Sequence, residues 1–298
     1  MAGTGQHVAY PIAFDGFNLT QHGGFSLAPN VQFSDIHVAG RARRIAVIAD
    51  SMSPVYSIAS PNLTSLLGQM SLKRPLAQAN GASFYGQQRE ENDTYASGSN
   101  HVKFLTRKGA LLINRVSVSG TSPASATMEY HELWDGTNDM SVVTASESLG
   151  AASPAFVSQF YRGSVLADGA AFANVEGWDL DTGMAINKPL FGGDIGPRKL
   201  SVETVDPVID IACASLSDWP GKSIKVYGKK IATSLQLYLK KGDEASARGG
   251  SGTALLISSA EGHVTPSRVD LNGLADGMCH FLFRPTDELA FNLAATHP

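Results

Sequence analysis

Few residues in this chain stand where their types and spacing could do chemistry. His131-Glu132 opens like the zinc-binding helix H-E-x-x-H, but Leu133-Trp134-Asp135 follows, so the second histidine is missing. The segment also alternates like a strand. Gly249-Gly250-Ser251-Gly252 lacks the spacing of a nucleophile elbow. Gly192-Gly193-Asp194-Ile195-Gly196 reads as a turn, and the sequence holds no Walker or dinucleotide loop. Cys279 and His280 are adjacent, so on a strand they point to opposite faces and cannot pair as nucleophile and base. Asp179 and Asp181 do share a strand face, the arrangement a glycosidase or cation site would use. Asn18, Asn62 and Asn92 begin Asn-x-Thr triplets, which matter only on a secreted chain. The expectation is a protein that is not an enzyme and uses no cofactor or metal.

Composition narrows the class further. The 298 residues hold 23 Lys plus Arg against 27 Asp plus Glu, a net charge of −4. With a sequence pI of about 6.0, binding nucleic acid through bulk positive charge is excluded. Only 17% of residues are charged and 43% are hydrophobic, enough for a large core. Cys213 and Cys279 sit in alternating apolar segments and read as buried thiols. Met1–His7 has neither a basic n-region nor an apolar h-region, and no run approaches a membrane span. These features predict a soluble protein made in a reducing compartment.

The elements that must position these residues are mostly strands. Ile231–Leu239 alternates, with Ile231, Thr233, Leu235, Leu237 and Leu239 on one face. Similar runs occur at 45–49, 102–105, 111–118, 127–134, 156–165, 199–205, 208–214, 254–258 and 278–283, separated by Gly, Pro, Asn, Asp and Ser. Ser60-Pro61 before Asn62–Met70 predicts one short helix with a cap and a first-turn proline, and a weaker counterpart is expected near Leu216–Gly221.

Sliding the sequence over itself by 153 residues brings matching residues together along most of the first half. Asp15-Gly16 meets Asp168-Gly169, and Ser53-Pro54-Val55-Tyr56-Ser57-Ile58-Ala59 meets Asp206-Pro207-Val208-Ile209-Asp210-Ile211-Ala212. Gly24, Gly40, Leu63, Gly68, Tyr85, Glu91, Gly109, Arg115-Val116 and Gly120 also find their own kind. Identities run at about twice the chance level for this composition. Matched Gly and Pro imply matched turns, hence the same fold twice. Two tandem β-sandwich or β-barrel domains are expected, at 1–147 and 154–298, each with about one short helix. At this offset Asp179 and Asp181 face Ser26 and Ala28, which weakens a carboxylate site, and Trp178 faces Phe25, which favours a core role.

Two polar stretches also correspond, Gly86–Asn100 and Leu239–Thr253, each between two strands and each read as a long hairpin loop. Their candidate contact residues are Gln87, Arg89, Glu90, Glu91, Asp93 and Tyr95 in the first. Lys240, Lys241, Asp243, Glu244 and Arg248 are those in the second. Charge is uneven: Glu129–Asp210 carries 13 acids and 4 bases, Lys222–Arg248 carries 7 bases and 2 acids. Opposite patches on one chain could steer head-to-tail stacking in a self-associating protein; in a monomer they are solvated faces.

The second half carries Tyr161-Arg-Gly-Ser-Val-Leu-Ala-Asp-Gly, Ala173-Asn-Val-Glu-Gly-Trp-Asp-Leu-Asp-Thr-Gly, Gly193-Asp-Ile-Gly-Pro-Arg and Asp206-Pro-Val-Ile-Asp-Ile in succession. Val31-Gln-Phe-Ser-Asp-Ile and Ser53-Pro-Val-Tyr-Ser-Ile take the equivalent places in the first, and 101–105 and 128–138 share the likeness. This order resembles the tail tube proteins of long, non-contractile-tailed bacteriophages. The resemblance implies a virion structural protein, assembled in the host bacterial cytoplasm, whose stacked rings form the hollow conduit for DNA. Six tube-like domains per ring then become three duplicated chains, a homotrimer with pseudo-sixfold symmetry; without duplication the ring is a homohexamer. Its partners would be further copies of itself, a tape measure protein and DNA in the lumen without sequence-specific binding. A tail terminator and distal tail proteins would close the ends, and no membrane is involved. The two loops would reach the next ring. Alternatives are a tail adaptor, baseplate or capsid-decoration protein, and a tandem β-sandwich module binding carbohydrate or protein, with Trp134, Trp178 and Trp219 as its platforms.

Overall fold

A strand with one apolar face must cover that face with another layer. The computed structural model, which describes residues 6–36, 44, 46–72, 74–89, 101–150, 158–214, 223–242, 253–270 and 278–296, shows how this chain does so. The first half supplies β1 (Gln6–Ala9), β2 (Ile12–Phe14), β3 (Phe17–Leu19), β4 (Phe25–Ala28), β5 (Gln32–Ile36), β6 (Ala46–Ser51) and β7 (Val55–Ser60). After α1 (Leu63–Gln69) come β8 (Leu76–Gln78), β9 (Ala82–Arg89), β10 (His101–Leu105), β11 (Gly109–Ser119), β12 (Ser125–Glu132) and β13 (Val142–Glu147). The second half supplies β14 (Gln159–Ala167), β15 (Ala170–Ala171), β16 (Val175–Asp181), β17 (Met184–Asn187), β18 (Ser201–Val205) and β19 (Val208–Cys213). It ends with β20 (Lys229–Ile231), β21 (Leu235–Gly242), β22 (Thr253–Ser259), β23 (Gly262–Asp270), β24 (Met278–Pro285) and β25 (Ala290–Thr296). The chain is mainly β, of the sandwich class its alternation predicts.

One ten-stranded antiparallel sheet runs through both halves in the order β20-β23-β24-β19-β16-β11-β12-β7-β4, with β8 also on β11. Its apolar face is covered by two smaller sheets. A six-stranded sheet, β13-β10-β9-β2-β3 with β1 on β9, serves the first half, and β15-β14-β21-β22-β25 serves the second. Two further hairpins, β5–β6 and β17–β18, stand outside these layers. The core follows from the alternation. Tyr56 and Ile58 of β7, Met128 and Tyr130 of β12 and Phe84 of β9 are buried in the first half. Ile209 and Ile211 of β19, Phe281 and Phe283 of β24, and Leu237 of β21 are buried in the second. Tyr56 stacks on Phe84 with centroids 4.1 Å apart, and Tyr130 meets Phe84 edge-on at 5.6 Å, the offset and T-shaped geometries that ring quadrupoles favour. Cys213 and Cys279 are buried thiols on paired positions of β19 and β24.

Pairing registers recur at the interval read from the sequence. Ala126↔Ser60 has its counterpart in Cys279↔Cys213, and Phe25↔Ile58 in Trp178↔Ile211. The bulge between Ile113 and Arg115 on β11 has its counterpart between Pro266 and Arg268 on β23. Even the outlying hairpins agree, since Phe33↔Ala49 becomes Ile186↔Val202. Asp15 and Asp168 do the same job in both halves: Asp15 accepts from Asn80 N, and Asp168 accepts from Thr233 N, pinning the crossover between sheets. The interval breaks at β25, which pairs with β22 about five residues early relative to β13 on β10.

Two local expectations need correction. Ile231–Leu239 is not one strand: β20 ends at Ile231 in the large sheet and β21 begins at Leu235 in the small one. Thr233 is therefore exposed at the crossover, its N–H and hydroxyl both donating to Asp168. The helix cap is Asn62, whose Oδ1 accepts from Ser65 N at 3.2 Å, while Ser60 Oγ accepts from Asn62 N. Pro61 thus precedes the cap instead of opening the first turn. The helix counterpart near Leu216–Gly221 lies outside the described residues.

Gly109 of β11 and Gly262 of β23 are each required by an aromatic ring across the pair. A Cβ on Gly109 would overlap the Tyr130 ring, and one on Gly262 would overlap the ring of Phe283. Gly109→Ala should cost about 1–3 kcal/mol of unfolding free energy, the range for overpacking a filled core. Urea denaturation checks this, and an unchanged midpoint would contradict it.

Candidate functional site

The two sheets that cover the apolar face leave the outward face of the ten-stranded sheet open around the β11–β16 seam, while the β17–β18 hairpin lies over its Glu129–His131 part. The alternation that buries Val116, Val118, Leu180, Ile209 and Ile211 turns Arg115, Ser117, Asp179 and Asp210 the other way. On this face Arg115 pairs with Asp179 across the β11–β16 seam, and His280 Nδ1 lies 3.3 Å from Asp210 Oδ1. They line a shallow concavity of about 420 Å³. Asp181 turns to a local task, accepting from Gly183 N at 2.8 Å. The two aspartates noted for a hydrolase or cation site thus serve a seam and a turn. Among the described residues, no group of three or more His, Cys, Asp or Glu could hold a metal ion, and no helix is long and apolar enough to cross a membrane.

The seam itself is the informative feature. Arg115, Val116, Ser117, Val118 and Ser119 of the first half pair with Asp181, Leu180, Asp179, Trp178 and Gly177 of the second. The sheet passes from one half to the other without a break. At one end, among the described residues, β4 pairs only with β7; at the other, β20 covers Gly262–Val264 of β23, and the strand ladder of Val269 and Asp270 is with β24 alone. An open strand edge offers main-chain donors and acceptors to another chain.

A second contact crosses between the halves. The β17–β18 hairpin reaches over the first half, where Met52 N donates to Ile195 O and Trp134 N to Pro197 O, both at 2.8 Å. Lys188 Nζ donates to Ser53 Oγ at 2.7 Å and lies 3.2 Å from His131 Nδ1, while His131 Nε2 is 3.1 Å from Glu129. That order fixes the proton of a neutral His131 on Nε2. Burial pulls Lys188 below the usual lysine range, and its hydrogen bond to His131 holds the Glu129 carboxyl low. The Arg198 guanidinium sits 4.5 Å over the Trp134 ring. Trp134 is thereby covered, with Nε1 bonded to Asn138 O, and Trp178 is buried in the core. Neither is placed as an open sugar platform; Trp219 lies outside the described residues.

The eleven loop residues fare differently from their reading as hairpin tips. β9 extends to Arg89 and β21 to Gly242, so Gln87, Arg89, Lys240 and Lys241 belong to strands. Gln87 is 1% exposed, and its side-chain amide donates to Gly150 O at 3.0 Å. It is a buried tie between strand and chain rather than a contact residue; alternation from buried Ala82 and Phe84 points Gln87 to the other face, so no local pattern marked it. Glu90, Glu91, Asp93, Tyr95, Asp243, Glu244 and Arg248 lie outside the described residues. What the sequence did not reveal is the hairpin contact through Lys188, Ile195, Pro197 and Arg198, because Gly192–Gly196 reads only as a turn.

Glu132, at the end of β12, anchors the turn beneath this hairpin. Its carboxylate accepts from Ser141 N at 2.8 Å and from the Ser141 hydroxyl, yet the residue is 1% exposed. Desolvation raises its pKa to about 7. The folded form therefore holds the proton more tightly than the unfolded chain, whose carboxyl titrates near 4.3. Stability from this group is full below about pH 4 and is lost as pH rises through 7, by a few kcal/mol. Glu132→Gln should flatten that slope between pH 5 and 8 in chemical denaturation; an unchanged slope would contradict it. No protein-family model matches the chain, and no curated protein matches it either.

Proposed function

We propose that this chain is a duplicated tail tube protein, which self-assembles edge to edge into rings and stacks them into the hollow conduit of a phage tail. The observation that carries this reading is the continuous β11–β16 seam. In the 153-residue correspondence, β16 is the counterpart of β4, and β11 of β23. The seam inside the chain is thus a pairing between the two kinds of edge left open at its ends. Repeating it between copies would set Ala28, Leu27 and Ser26 opposite Arg268, Val269 and Asp270 of the next chain. Such a contact is heterologous, so it must either close into a ring or run on as a filament. Closure pairs the open edge of β4 with the open stretch of β23. Each chain brings two tube-like units, 1–147 and 154–298, and three chains would complete a pseudo-sixfold ring.

The remaining features fit this reading. Around the seam the outward face of the sheet carries Arg115, Ser117, Asp179 and Asp210 in an open concavity, as a wall around a wet lumen would. Acids on that wall would keep DNA phosphates from adhering during ejection. A tape measure protein would occupy the same lumen before DNA does.

Ser26→Cys combined with Asp270→Cys tests the edge pairing, because these positions correspond to Asp179 and Ser117 respectively, which pair in the seam. Under oxidation the expected product is a ladder of disulfide-linked chains up to a closed trimer. A monomeric product at high concentration would overturn the reading. A ladder in protein that forms single rings and never tubes would move the assignment to a tail adaptor.

A further inference from the structure

The chain holds two cysteines, and the fold sets them face to face. Cys213, the last residue of β19, pairs with Cys279, the second residue of β24, and both are 0% exposed. A residue of an inner strand has only two directly facing partners. Two cysteines scattered at random in 298 residues would meet this way in about one chain in a hundred and fifty. The first half fills the corresponding pair with Ser60 and Ala126, so the shared fold does not itself call for sulfur there. We propose that Cys213 and Cys279 are an oxidation site, whose thiols join as a disulfide between β19 and β24 under oxidising conditions.

The backbone places the two residues within reach. Directly facing residues of antiparallel strands project to the same side, with Cα atoms about 4.5–5.5 Å apart, inside the about 4.4–6.8 Å that a disulfide spans. Their Cβ atoms stand about 4.5–5.5 Å apart against a usual 3.5–4.5 Å, so the strands must draw together by up to an ångström. The position in the ladder permits this. The pairing of β19 with β24 ends at these two residues, and β24 has only Met278, 37% exposed, before Cys279. On the other side of Cys213, β16 is bulged between Val175 and Gly177, where the ladder is already irregular.

A thiol buried in apolar surroundings is slow to react. Opening at the end of the ladder therefore sets the rate, and proximity sets the product. Hydrogen peroxide is an oxidant small enough to enter such an opening. The first thiolate attacks one peroxide oxygen; the O–O bond breaks, a sulfenic acid forms, and the departing hydroxide takes up the thiol's proton as water. The second thiolate attacks the sulfenic sulfur, the S–S bond forms, the S–O bond breaks, and a second water leaves. Two thiols are oxidised and one peroxide is reduced to two waters. The bond closes a loop of roughly 65 residues in the unfolded chain, which disfavours that state. It also braces the strand beside Val269, which faces Cys279 from β23. It forms within one chain and needs no second copy.

The test treats the reduced full chain with hydrogen peroxide, once folded and once in urea, then alkylates in denaturant and maps unreduced peptides. From folded protein the main cysteine product should be two peptides joined through Cys213 and Cys279, lighter by two hydrogens than their sum. Unfolded protein should give roughly tenfold less, because nothing holds its sulfurs together. Dithiothreitol should restore both thiols. The oxidised protein should melt roughly 5–10 °C above the reduced form. Cys213→Ala, which keeps a small apolar side chain, should show no rise with peroxide. Folded protein whose thiols still alkylate after peroxide, take up oxygen singly or link between chains would overturn the proposal. Equal yields from folded and unfolded protein would overturn it as well.

Discussion

The constraint on which the rest of this structure depends is the need of one strand edge for a partner. Backbone N–H and C=O groups are obligatory hydrogen-bonding groups, and the edge of β11 from Arg115 to Ser119 finds its partners on β16 of the other half. Hydrogen bonds contribute only about 1 kcal/mol each in net terms. Five paired positions would not hold two halves together alone. The seam is held because the same five positions bury Val116 and Val118 beside Trp178 and Leu180, and fully buried apolar side chains contribute about 1.5–3 kcal/mol apiece. Hydrogen bonds fix the register; burial supplies most of the stability.

That division of labour explains what each face can do. The covered face must stay apolar and filled, which is why Gly109 and Gly262 recur under aromatic rings. The open face is free to carry charge, and its ion pairs, Arg115–Asp179 and His280–Asp210, join neighbouring strands without being buried. Exposed pairs of this kind add little stability. They are better understood as setting the character of a surface. The hairpin contact is different: Lys188 is half-buried between Ser53 and His131, so its removal would strand polar groups away from water.

Much of this architecture was legible in the sequence, and the gaps have physical reasons. Alternation located β11, β12, β19 and β24, because each has one buried and one wet face. The Asp15/Asp168 match was readable as a shared turn, and both side chains do pin the same crossover. Ile231–Leu239 misled because alternation continues through the crossover; periodicity shows which way side chains point, not which sheet a strand joins. Gln87 misled because polar residues were read as loop, though a buried amide can satisfy itself on a main-chain carbonyl. The seam and the docked hairpin were not legible, since pairing partners and long-range contacts leave no local pattern. Once the interval of 153 is known, however, each contact on one half marks a place to look on the other.

The most direct measurement is the mass of the purified full chain by light scattering, with negative-stain images of the same fractions. A species of three chains, seen as rings or stacked tubes with six subunit-like lobes, is the expected result. A ring of six chains would keep edge-to-edge assembly and contradict three duplicated chains to a ring. A monomer that persists at high concentration would contradict the central claim that the seam within this chain is the template for the contact between copies.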